Sequence, residues 1–386
     1  MSSTPVHQSA VEAETTVSEV ESRLGTGMFG DGDNADQTAD VYYRGLGRLC
    51  ADVMQLDREA LNACAAPQLE ALRRGALDIA LREFQAGRTE AAHAAINDFL
   101  IIASGSDGQL TVDESRSRHF RPRVCRAMRG TCAGEEVLSR WNAQTVADGE
   151  NLLVAAVEVG DDLERAADHA MDLLAEALPV VAPDVLRCAY GLVPITGAII
   201  SGHFAQTPKL IFVNVSALRN VYDAAESILH ESLHQKLFDI GLARTIFRPG
   251  YVDAESHTTP IPWSGDELRV RQFSADRAIS AYHVYVHQTL LYLALLTRRR
   301  SYVEPDPEIL HRTAVAWARA REFRRGLHGD GARTELGEDG LAFLHWLDRA
   351  HDALGAVVLP DGSALAGHEG SYASSAYRRP AASATG

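Results

Sequence analysis

The chain has 386 residues, with 37 basic against 52 acidic side chains and a formal charge of −15. Hydrophobic residues make up 46%, enough to bury a substantial core in one large domain or two smaller ones. The acidic balance excludes a general nucleic-acid or anionic-membrane binder, because phosphate surfaces need clustered cations.

Five cysteines occur, an odd number with no CxxC pair. A disulfide framework or a thiolate zinc ribbon is therefore not expected, and a reducing cytoplasmic setting fits best. The N-terminus carries no basic segment followed by an apolar one, so no signal peptide is read there. No apolar run reaches the length of a membrane span. Residues 1–35 are expected to be disordered apart from a short helix at 12–24, and so is the Gly-, Ala- and Ser-rich tail 361–386.

Residues 36–180 read as a helical N-terminal region. Apolar positions recur every three to four residues at Leu61, Leu69, Leu72, Ile79 and Phe84. Gly87 splits this run into two helices, and Asp113 is a candidate N-cap for a third. Residues 151–178 read as helix ending at Pro179, with a break at Gly160 left open. The pattern changes after Pro183. Short Val- and Ile-rich runs at 185–190, 194–201 and 209–215 read as strands. A long helix is expected over 222–240, stopped by Gly241. An irregular stretch, 245–267, leads to a second long helix at 275–297, with more helices at 307–325 and 336–354. The catalytic domain is thus expected over 181–360. The fold class is mainly α with a small β-sheet, an α+β arrangement.

The first long helix contains His230-Glu231-Ser232-Leu233-His234, an H-E-x-x-H. Helical residues four apart lie one above the other, so two imidazoles at this spacing reach one metal ion. Glu231 then projects toward the open coordination position. A strand before the motif helix and a ligand helix after it make a zincin-like core. Two histidines need a third ligand, and His283 and His287 offer another i, i+4 pair on the next helix. His283 is the first choice, with His287 as alternative; Glu255 and His257 are weaker ones. The competing reading is that these histidines are ordinary core or surface residues.

The segments AESILHESLHQKL, PIPW and AYHVYVHQTLLY together resemble the HExxH-motif proteins encoded beside modified-peptide pathways. Those are iron(II)- and 2-oxoglutarate-dependent peptide β-hydroxylases. The match spans about residues 195–300. The loop departs from the family pattern PWRxDPRP, since Ser264 and Gly265 follow Pro262-Trp263. The resemblance implies an oxidoreductase holding Fe(II) with His230, His234 and His283, and a peptide or amino-acid side chain as substrate in natural-product biosynthesis. Arg269, Arg271, Arg277 and Lys236 are the nearby cations for the 2-oxoglutarate carboxylate. The N-terminal half is expected to recognise a leader peptide or to support a homodimer. Two alternatives stay open. One is a zinc metallopeptidase with Glu231 as general base; the other is another histidine-ligated iron or haem oxygenase.

Overall fold

The computed structural model describes residues 5–62, 64, 66–105, 121–126, 128–147, 152–263, 271–298 and 307–358. It divides into two compact units, Asp31–Ala243 and Met1–Gly30 with Arg244–Gly386. Two helices open the chain, α1 (Pro5–Leu24) and α2 (Gly27–Gly30), and belong to the second unit. The first unit follows with α3 (Gly32–Met54), a 3-10 turn at Arg58–Leu61, α4 (Pro67–Gln85) and α5 (Thr89–Gly105). Next come β1 (Arg123–Val124), α6 (Cys132–Ala147), β2 (Val154–Ala156), α7 (Asp161–Ala177) and α8 (Val181–Leu186). The unit closes with β3 (Gly191–Gly197), β4 (Ser201–His203), β5 (Leu210–Asn214), α9 (Val215–Leu218) and α10 (Val221–Gly241).

The sheet of this unit has the order β1-β3-β5-β4, with β2 also pairing onto β3. β3 runs parallel to β5, whereas β4 runs antiparallel to β5 at the sheet edge. Every residue of β5 is buried, as a strand covered on both faces must be. The apolar core joins Leu72, Leu77, Ile96, Phe99, Trp141 and Phe212, so α4, α5 and α6 pack over the same sheet. Each fully buried Leu, Ile or Phe stabilises the unit by roughly 1.5–3 kcal/mol.

A buried ion network runs through this core. Lys209 is fully buried, with its Nζ 2.5 Å from Asp239 and 2.7 Å from Asp36. Asp36 also accepts from the Tyr190 hydroxyl, whose ring lies under Arg74. Arg74 pairs with Glu70 and Asp40. Strand β5 and helices α3, α4 and α10 are thereby tied by charge as well as by packing.

The second unit contains α1 and α2, a 3-10 turn at Asp253–Glu255, β6 (Thr259–Ile261), β7 (Arg271–Phe273) and α11 (Ala275–Arg298). It ends with α12 (Pro307–Leu327), α13 (Asp330–Glu335) and α14 (Glu338–Val358). β6 and β7 form a two-stranded antiparallel pair. Phe29 meets Phe343 edge-on at 5.1 Å, and the Trp346 indole donates to the Arg23 carbonyl. Those contacts fasten the N-terminal helices to α14.

Several expectations are corrected. The N-terminal segment is helical from Pro5, because Val17, Val20 and Leu24 form a buried stripe. The two compact units meet along the chain at 30/31 and 243/244. Within the region read as mostly helical, β1 and β2 hydrogen-bond to β3. The run 185–190 is not a strand; its first residues close α8 and strand β3 begins at Gly191. The helix expected over 151–178 is β2 followed by α7, divided by Gly160. The Gly87 break holds, with φ +73° between α4 and α5. The long helices at 222–240, 275–297, 307–325 and 336–354 are α10, α11, α12 and α14. Asp113, Arg269 and the tail 361–386 lie outside the described residues. Among the described residues no helix is long and apolar enough to cross a membrane.

Candidate metal centre

Helix α10 starts where sequence chemistry requires it. Asn220 accepts from the backbone N–H groups of Tyr222 and Asp223, satisfying two donors that the first turn leaves open. Upstream, Asn214 caps α9 through Ser216 N–H. Ile228, Leu229 and Leu233 are fully buried and fix the rotation of α10.

The motif side chains come together on this helix. One ligand atom each from His230, Glu231 and His234 lie within 4.8 Å of one another. The two imidazole rings are 4.7 Å apart and inclined at 64°. His230 Nε2 stands 3.8 Å from Glu231 Oε1. Donors about 2.1 Å from one metal ion sit roughly 3–3.4 Å apart, so a small contraction makes the two histidines co-ligands. His230 remains part-exposed, whereas Glu231 is 3% exposed. The centre therefore has one enclosed side and one side open to solvent.

Electrostatics suit a cation. Burial and the neighbouring His230 and His203 hold the His234 imidazole well below its ordinary pKa, so it is neutral and able to donate a lone pair. Burial pushes the Glu231 carboxyl up to about 8, and the bond from Ser201 pulls it partly back. An enclosed carboxyl held that high is destabilised as an anion until a positive charge arrives.

Strand β4 supplies two contacts that motif reading missed. Ser201 Oγ donates to Glu231 Oε1 at 2.6 Å. His203 Nε2 meets Gln235 Oε1 at 2.9 Å. Gln235 Oε1 also accepts from the Lys209 backbone N–H at 2.5 Å, and its amide donates to Asp239 at 2.8 Å. The available signal was the alternation Ser201-x-His203 on a short strand well upstream of the motif. Its period places both side chains on one face.

Of the expected co-substrate cations, Lys236 points elsewhere. It follows His234 by two residues, about 200° around the helix. It is fully buried, and its charge interacts with Cys188, Asp184 and Asp31. Burial lowers its pKa. Arg277 is exposed on the first turn of α11, and Arg271 lies in β7.

His283 and His287 belong to the second unit, on α11, and both are fully buried. Their rings are 4.6 Å apart, and His287 Nδ1 lies 2.8 Å from the His283 carbonyl oxygen. His283 packs edge-on against Phe343 at 5.1 Å and lies near Trp346. Glu255 and His257 are exposed in the same unit. The loop aromatics are packing groups there: Phe247 stacks on Tyr251, and Trp263 lies against Phe323 and under Arg319.

No protein-family model matches the chain. No curated protein matches it either.

Proposed function

We propose that the chain is a metal-dependent enzyme with His230 and His234 as metal ligands and Glu231 flanking the open coordination position. The observation that supports this is the His230–Glu231–His234 group, with its neutral His234 imidazole and its buried Glu231 carboxyl. Two helical histidines joined by one further ligand suit Fe(II) and Zn(II) alike.

The reaction we favour is Fe(II)- and 2-oxoglutarate-dependent hydroxylation of a peptide or amino-acid side chain, on the strength of the motif resemblance. Bound Fe(II) would supply oxygen activation coupled to decarboxylation of 2-oxoglutarate. The chain's own residues then bind and orient: the histidines hold the ion, and Glu231 directs the group at the open position. The edge strand β4, which among the described strands pairs with β5 alone, offers backbone groups to an extended peptide.

A zinc peptidase is the second reading. It is favoured by the position of Glu231, which can take a proton from a metal-bound water. Metal analysis of anaerobically purified protein, followed by a 2-oxoglutarate-to-succinate assay, separates the two. Iron with succinate formation is the expected result. One equivalent of zinc with no succinate on any substrate overturns the hydroxylase. Substituting Glu231→Gln would abolish peptide hydrolysis but only weaken hydroxylation.

A further inference from the structure

We infer that Ser201 is the positioning residue of the centre, holding the Glu231 carboxyl against the metal position from strand β4. This rests on the metal centre proposed above. Ser201 Oγ lies 2.6 Å from Glu231 Oε1, and that same oxygen is the one 3.8 Å from His230 Nε2. One carboxyl oxygen is therefore shared between strand and motif. A glutamate has three rotatable side-chain bonds, and a fixed hydrogen-bond donor selects one arrangement among them.

The donor itself is held firmly. Ser201 pairs with Val213 in the β4–β5 ladder. The Asn214 amide donates to the carbonyls of Gly197 and Ile199, bracing the turn that delivers Ser201. Gly202, facing the opposite side, lies against the Trp141 ring so closely that a Cβ would overlap it. A second tie, His203 to Gln235, follows along both elements. Two strand residues rise about 6.7 Å and four helical residues about 6 Å. The steps Ser201 to His203 and Glu231 to Gln235 therefore match, and β4 grips α10 at two points in register. Outer partners of this kind orient a metal site although they never touch the ion.

Co(II), a visible-absorbing probe, tests the assignment on the full-length apo protein. Ser201→Ala should weaken Co(II) binding roughly tenfold. Its d–d absorption should move toward that of Glu231→Ala, with the melting temperature of the apo protein unchanged. Ser201→Thr should restore both affinity and spectrum. The pair Ser201→Thr and Ser201→Val, equal in shape and differing in the hydroxyl, carries the same comparison should the alanine variant fail to fold. Wild-type affinity and spectrum in both Ser201→Ala and Ser201→Val overturn the role of Ser201 while leaving the metal centre standing. Absence of Co(II) binding by the wild type overturns both.

Discussion

Glu231 carries an energetic cost as an anion that a proton or a cation relieves. Its carboxyl is almost fully enclosed and has its pKa raised to about 8 against an ordinary 4.5. The sign follows from linkage. A group whose folded pKa is raised contributes stability below its unfolded value and loses it as pH rises through the folded value. The metal-free protein should therefore lose stability between about pH 4.5 and 8 through this residue. Glu231→Gln removes that loss and should raise the unfolding free energy of the apo protein above pH 8 by a few kcal/mol. Urea titrations of both proteins at pH 5 and pH 8.5 measure it. Equal stability of the two at pH 8.5 would contradict the placement of the carboxyl. His234→Ala, which deletes a proposed ligand, should lower metal affinity by at least about a hundredfold, beyond the loss of an outer partner.

At the scale of elements, β4 and α10 act as one body, and each has a sensitive point. On β4 it is Gly202, where no side chain fits against Trp141. Gly202→Ala should push the strand outward and destabilise the protein by about 1–3 kcal/mol, as overpacking does. Because Ser201 moves with the strand, Co(II) affinity should fall too; a stable variant with full affinity would dissociate β4 from the centre. On α10 it is Asp239, one turn past His234. Asp239→Ala leaves the buried Lys209 with only Asp36 among its two carboxylate partners. Breaking a buried pair costs about 3–5 kcal/mol. The double variant Asp239→Leu with Lys209→Met, which removes the charge as well, should recover most of that loss in a denaturation experiment.

At the scale of the whole molecule, pH acts on the two units through different groups. In the unit of α11–α14, His351 lies flat against Trp317, with ring centroids 5.4 Å apart, and beside Arg324. Burial and Arg324 hold its pKa near about 4. A depressed folded pKa gives stability that is present above the unfolded value of 6.5 and lost as pH falls through 4. His351→Phe should remove on the order of 3 kcal/mol of acid sensitivity in that window. Trp317 fluorescence during denaturation at pH 7 and pH 4.5 checks it. In the other unit His203, also lowered to about 4 by burial, acts in the same sense. Asp239, raised to about 6, acts in the opposite sense between 3.8 and 6, so the two partly offset.

The amino-acid sequence by itself determined the long helices and the H-E-x-x-H spacing. Both depend on short-range signals: long runs free of Pro and Gly set α10 and α11, and an i, i+4 interval stacks His230 on His234. It also indicated the mainly α class with a small sheet. The tertiary structure decided what joins across long stretches of chain. Two- and three-residue strands such as β1 and β2 are too short to show a period, and only pairing with β3 makes them strands. Lys236 reads as a cation beside the motif, but helix geometry turns it toward Cys188 and Asp184. Ser201 carries no motif at all. Its hydroxyl gains a role only because β4 folds against α10, thirty residues further along the chain.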